Sequence, residues 1–390
     1  MVISVNFNTG SKNFIKEMLF ILPEGILLLA YGLLIFFYKK WWDRLPPEEM
    51  EPFQKAVQVS IIIAARNEAE NIPFLLQALA QQTYPTGLLE IIIVDDHSTD
   101  ATAQLVQYAS VENVHLLSLS GDAAHSSKKK AIAAGVERAK GELIVTTDAD
   151  CTFSPNWIEA LVSFYIRNNA QFIAAPVRYS SDDSFLHRFQ TLDFLTLQGI
   201  TGAGVSAQFH TMCNGANLAF RRSTFFEVKG FSGIDQIASG DDMLLMYKIW
   251  QRYPQQVFYL RSKEAIVDTK PMNTWRAFIK QRIRWASKTT HYQDKRIFWT
   301  LLLVYLVNLY FFVLLIASIW KVYYLPAAFL YLVLKTVVEL PFVYAVSKFF
   351  GQQRLIAYFP FFQPVHILYT VAIGFISQFG KYEWKGRRTK

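Results

Sequence analysis

The chain has 390 residues and only two cysteines, Cys151 and Cys213. With no CxxC and no local cysteine and histidine cluster, a structural zinc site is unsupported, and the position of both in a cytoplasmic segment (below) argues against a disulfide. No GxGxxG follows the first strand-like run and no Walker lysine loop appears, so a dinucleotide fold and a P-loop enzyme lose support. Internal repeats and low-complexity tracts are absent. Charge is scarce, 18% against 52% hydrophobic residues, and the net +8 is gathered at Lys39-Lys40, at 276–288 and at 385–390. That distribution suits anionic lipid headgroups. With no zinc-knuckle or RNP signature, nucleic acid is not expected as a partner.

What the sequence does have is apolar runs. Residues 18–38 are nearly uninterrupted, apart from Glu24, and long enough at about 1.5 Å per residue to cross a hydrocarbon core of ~30 Å. The run exceeds the apolar part of a signal peptide and no small-residue cleavage site follows it. It ends in Tyr38-Lys39-Lys40-Trp41-Trp42-Asp43-Arg44, an aromatic belt with positive charge that puts the following segment in the cytoplasm. Further spans are expected at 298–320, 324–346 and 355–379. Lys335 and Glu339, four apart within the second of these, are expected to pair, face protein or snorkel. If all three cross, the tail with its five basic residues ends outside, against the positive-inside rule; Pro360 and Pro364 could instead break the last segment into a re-entrant piece. The expected organisation is an anchor at 1–47, a cytoplasmic catalytic domain at 48–272, an amphipathic interface segment at 273–296, membrane segments at 297–380 and a basic tail at 381–390. Pro46 to Pro52 reads as the linker leaving the membrane.

Between anchor and later spans, β-branched runs alternate with helical periodicity. Strands are expected at 57–65, 89–94, 113–117 and 142–147, and helices through Ile72, Leu75, Leu76 and Leu79, at 101–109 and at 129–139. This alternation predicts an α/β fold, a mostly parallel sheet with helices on both faces. Ligands of such sheets bind beyond the carboxyl ends of the strands, where the acidic motifs fall.

Asp148 and Asp150, two apart at a strand end, emerge on one side and can share a divalent cation, manganese or magnesium, with a diphosphate. A turn or capping pair is the plainer alternative. Asp95 and Asp96 could cap the next helix or accept the imide proton of a uracil ring. Lys128, Lys129 and Lys130 read as a solvated run or as a source of one counter-charge for a diphosphate. In Gly240-Asp241-Asp242 an aspartate could favour the helix dipole or act as general base toward an acceptor hydroxyl, Asp242 being preferred. The segment 273–291 is basic and amphipathic, suited to the headgroup plane; its arginines can also fork onto phosphate.

In this order, VDD, DAD, GDD and QRIRW resemble the membrane-bound family 2 glycosyltransferases, whose catalytic domain has the GT-A fold. The resemblance spans about 57–285 and includes SIIIAARNEAENI, KKKAIAAG and CNGANLAFRR. It implies that Ala65, Arg66, Glu68, Asp95 and Asp96 line the nucleoside site, with Lys128 near the phosphates. Asp148 would touch nucleotide and metal, Asp150 would be the principal metal ligand and Asp242 the base. Gln281, Arg284 and Trp285 would hold the pyrophosphate and shape the acceptor mouth, and residues 213–216 would form a loop near the acceptor. Two positions depart from the family pattern: GDD stands for the usual ED, and Ala133 for an asparagine.

The implied reaction is inverting transfer from a nucleotide-sugar, UDP by resemblance, to a lipid or glycan acceptor, by an integral protein of the bacterial inner membrane or an equivalent bilayer. A single-sugar transferase acting on a lipid is the first reading. A processive polysaccharide synthase is the second, although four spans offer little wall for a pore without oligomers, whose existence the sequence leaves open. A catalytically silent scaffold is the third.

Overall fold

The computed structural model describes residues 7–48, 57–121, 127–180, 184–233, 240–287, 294–378, 382–384 and 387–389. Positions 49–52 of the linker, 288–291 of the basic segment, the Asp241 side chain, and positions 381, 385–386 and 390 of the tail lie outside them.

The region between the N-terminal helix and the later candidate spans carries β1 (Val59–Ala65), β2 (Leu89–Asp95), β3 (Val114–Ser118), β4 (Leu143–Asp148), β5 (Thr152–Phe153), β6 (Phe172–Ala174), β7 (Val177–Tyr179), β8 (Leu218–Arg221), β9 (Val257–Tyr259) and β10 (Val267–Thr269). Seven strands form one sheet in the order β3-β2-β1-β4-β8-β6-β9, and β5-β10-β7 form a smaller one. In the large sheet β8 runs antiparallel to β4 and β6 while the other pairs are parallel. The near-continuous Ile and Val of β1, β2 and β4 follow from burial on both faces.

The helices are α1 (Phe7–Arg44), α2 (Ile72–Ala80), α3 (Thr102–Gln107), α4 (Lys128–Arg138), α5 (Trp157–Asn168), α6 (Phe185–Ser206), α7 (Arg222–Glu227), α8 (Asp241–Arg252), α9 (Trp275–Ala286), α10 (Lys295–Trp320), α11 (Tyr324–Phe349) and α12 (Phe359–Ile376). Alternation along the strands splits the core. Ile61, Ile63, Ile91, Ile93 and Val145 pack with α2 and α5, whereas Ile62, Ile92, Val94 and Ile144 pack with α4 and α8. The second layer continues without a break through α6 into α1, α10 and α11.

Among the described residues, four helical stretches are long and apolar enough to cross a membrane: Gly25–Arg44, Lys295–Trp320, Tyr324–Phe349 and Gln353–Ile376. The fourth passes from a 3-10 segment, Gln353–Tyr358, directly into α12, which continues through Pro364. Pro360 falls in the first turn of α12, where its missing N–H has no helical partner to lose. Lys335 and Glu339 are both buried and pair at 2.6 Å. Gln363 accepts from Lys335 at 2.8 Å and donates to Glu339, and Tyr31 donates to the same carboxylate, so one polar cluster ties α1, α11 and α12 together.

Helix α6, not expected from the sequence, joins the two halves. A Cβ on Gly199 would lie 2.3 Å from Val346 and one on Gly202 2.9 Å from Trp42, so only glycine lets α11 and α1 approach this closely. Arg261 adds a second joint: its Nη1 donates to the carbonyls of Trp42 at 3.0 Å and Leu45 at 2.7 Å, and its guanidinium lies 4.6 Å over the Trp42 ring.

Candidate active site

Parallel register aligns the acidic strand ends. Ala65 lies opposite Asp95 and Ala64 opposite Asp148, so the carboxylates of two separate motifs share one edge of the sheet. The Ala65 carbonyl accepts from the Asp96 amide at 2.8 Å. Arg66 reaches Asp96 at 3.7 Å, and Glu68 holds the loop between them, accepting from Asn71 at 2.7 Å while its own amide donates to Thr102 at 2.8 Å. Asp95 is buried; its Oδ2 accepts from the Ser98 amide at 3.4 Å, and its Oδ1 has no hydrogen-bond partner among the described residues. A buried acceptor left unmet is costly and suits an incoming N–H, such as that of a nucleobase.

At the end of β4, Lys128 donates to Asp148. Asp150 accepts from Thr269 of β10 at 3.4 Å. Burial, reinforced by the neighbouring Asp148 and Glu68 carboxylates, raises the Asp150 carboxyl above its ordinary value. Asp148 and Asp150 share the single Lys128 ammonium, so the pair keeps a net negative charge. No group of three or more metal-ligating side chains occurs among the described residues, so an ion held by this pair would need further ligands from phosphate and water. The donors present fit a hard divalent cation.

Asp242 opens α8. Its Oδ2 accepts from the Gly215 amide and its Oδ1 from the Met243 amide, both at 2.9 Å. A Cβ built on Gly215 would lie 3.2 Å from the Lys128 ammonium and 3.5 Å from Oδ2 of Asp242, so the bare backbone of this loop separates the two. Helix α9 starts on Thr274, which accepts from the Ala277 amide at 3.2 Å. Phe278 and Arg282 are buried, while the neighbouring Trp275 and Ile279 stay exposed. Gln281 has a buried Oε1 with no hydrogen-bond partner among the described residues, Arg284 sits partly exposed in the last turn, and the Trp285 ring lies 6.2 Å from that of Phe194.

Asp242, Trp285 and Asn214 line a cavity of about 700 Å³ that extends among α1, α6, α10, α11 and α12. Sequence reasoning missed its polar wall. Arg282 pairs with Asp193 at 2.6 Å, Tyr369 donates to the same carboxylate, and His366 stands 3.8 Å from it. Arg282 reads in sequence as one more basic residue of an interface helix. The signal available was Asp193, the one acidic residue in the long stretch that forms α6.

Comparison with known proteins places this geometry. Residues 60–228 match the family described as Glycosyl transferase family 2. The chain carries a glycosyltransferase family 2 domain. The Probable glycosyltransferase YdaM of Bacillus subtilis is 26% identical over 250 residues, 63% of this chain and 58% of that protein. The Undecaprenyl-phosphate 4-deoxy-4-formamido-L-arabinose transferase of Pseudomonas fluorescens is 32% identical over 185 residues, 44% of this chain and 52% of that one. The chain thus spans less than two thirds of either relative's length. A mannosyltransferase from Pyrobaculum calidifontis, solved with GDP-Man and Mn2+, superposes with a TM-score of 0.56 at 18% identity, covering 90% of this chain and 98% of its own. That likeness fixes the fold as GT-A. The family 2 domain and its fold agree with the sequence expectation.

Proposed function

We propose that this protein is an inverting glycosyltransferase that moves one sugar from a nucleotide-sugar, a UDP-sugar by family resemblance, to a hydroxyl acceptor held in the membrane. The observation that carries this reading is the position of Asp242, which borders both the Lys128 and Asp148 strand-end cluster and the cavity among the membrane helices.

Asp95 and Arg66 would hold the nucleoside, Lys128 the diphosphate, and Gln281, Arg284 and Trp285 would close the pyrophosphate and acceptor side. Asp148 and Asp150 would hold a manganese or magnesium ion, which when bound supplies counter-charge to a departing diphosphate. Asp242 takes the proton of the acceptor hydroxyl. The oxygen forms its bond to the anomeric carbon from the face opposite the leaving group, and the bond from that carbon to the diphosphate oxygen breaks with its electron pair on the nucleotide. From an α-linked donor the product is β-linked. The basic residues at the C-terminal end of α1, Lys39, Lys40 and Arg44, support a cytoplasmic catalytic domain.

The test uses the purified chain in lipid with manganese and a panel of UDP-sugars, reading nucleotide release and product mass, with Asp242→Asn as control. Metal-dependent release lost in the variant, with one sugar mass added to a lipid, is the expected result. A ladder of sugar masses would favour a polysaccharide synthase instead, and absence of both donor binding and turnover across UDP- and GDP-sugars would favour a silent scaffold.

A further inference from the structure

If the transferase reading holds, the cavity limits the kind of lipid that can accept the sugar. Among the described residues Arg282 is the one lysine or arginine in its lining, and Asp193 matches that charge at 2.6 Å, with His366 facing the same carboxylate at 3.8 Å. Glu339, also in the lining, is matched by Lys335 at 2.6 Å. His210, another lining residue, meets the Tyr38 hydroxyl at 3.1 Å. The remaining charged group in the wall is the Asp242 carboxylate. The cavity therefore offers no surplus positive charge, and an anionic head group brought in among membrane helices would meet an unmatched desolvation penalty.

Hydrogen-bond donors, by contrast, are in excess. The Arg282 guanidinium lies 4.2 Å over the Trp285 ring and 4.9 Å over that of Phe278, and its Nε and Nη1 are buried with no hydrogen-bond partner among the described residues. These donors call for oxygens. Asp242 adds an independent argument: an alcohol needs a base to become a nucleophile, whereas a phosphate oxygen is already ionised and would be repelled by a carboxylate beside it.

We infer that the acceptor is an uncharged, hydroxyl-bearing lipid whose ester, amide or hydroxyl oxygens accept from Arg282, and not a lipid phosphate. Its hydroxyl proton passes to Asp242, its oxygen bonds to the anomeric carbon, and the nucleoside diphosphate leaves with the electron pair of the broken bond. In this arrangement Arg282 sets acceptor specificity.

The experiment is a competition. The full chain in nanodiscs of neutral lipid receives its preferred nucleotide-sugar together with equimolar diacylglycerol, an N-acylated amino alcohol and a polyprenyl phosphate, and glycolipids are read by mass. Sugar on a hydroxyl lipid is expected; sugar on the lipid phosphate overturns the inference. Arg282→Gln should raise the acceptor KM about tenfold or more against a smaller change in kcat. Asp193→Asn, which leaves the arginine charge unmatched, should shift the competition toward the phosphate; an unshifted ratio counts against the charge argument. Nucleotide-sugar hydrolysis with sugar on none of the three lipids sinks the acceptor class while sparing the transferase reading. If no donor is hydrolysed at all, both fall.

Discussion

The Gly215 amide donates to Oδ2 of Asp242 at 2.9 Å, which fixes the carboxylate between the strand-end cluster and the cavity among the candidate membrane helices. Asp242→Asn keeps the shape of this contact and removes the base. Transfer should fall by ~100- to 10,000-fold with nucleotide binding retained. A variant that transfers at the wild-type rate would assign the base elsewhere.

Asp95 presents a buried Oδ1 without a partner. Asp95→Ala should weaken UDP binding by about tenfold or more, measured by calorimetric titration. An unchanged Kd would remove Asp95 from the nucleoside site.

Gly199 has no room for a side chain against Val346 and Phe342. Gly199→Val should therefore cost about 1–3 kcal/mol through overpacking, read as a lower thermal midpoint in detergent. An unchanged midpoint would mean that α6 and α11 do not approach as described.

Arg261 satisfies two carbonyls at the end of α1. Arg261→Ala should cost about 1–3 kcal/mol and speed hydrogen exchange across residues 41–45, since the last turn of α1 loses its cap. Exchange confined to wild-type rates would show that water replaces the arginine at little cost.

Burial pushes the His210 imidazole from its ordinary 6.5 down to about 4. The folded state thus binds fewer protons than the unfolded chain between these values, and stability rises with pH across that window. The contribution is fully present above about pH 6.5 and is lost as pH falls toward 4, roughly 3 kcal/mol in all. His210→Asn should flatten the slope of the thermal midpoint between pH 4.5 and 6.5 by about the amount this single group supplies; an unaltered slope would assign it to other groups.

The strands and helices up to α4 are legible in sequence because each has a strong local pattern: β-branched runs for β1, β2 and β4, apolar spacing for α2. Motif order likewise brought Asp95, Asp148 and Asp242 to notice. Helix α6 was not legible. It is apolar on more than one face and carries Gly199, Gly202 and Gly204, a composition that reads as loop until its neighbours are known to be helices more than a hundred residues away. Strand β8 hid inside CNGANLAFRR, read for its motif, and its antiparallel direction is set by pairing with β4 and β6 and by nothing local. The Arg282 and Asp193 pair joins positions 89 apart, a distance over which no periodicity speaks.

The apolar layer beneath β1, β2 and β4 runs on through α6 into α1, α10 and α11, so the sheet and the candidate membrane helices share one core. The sheet and these helices should therefore melt together as one cooperative unit. A truncation that removes 295–378 to obtain a water-soluble enzyme would strip the cover from Tyr38 and α6 and yield aggregate, which makes detergent or nanodisc the medium in which the catalytic half keeps its shape.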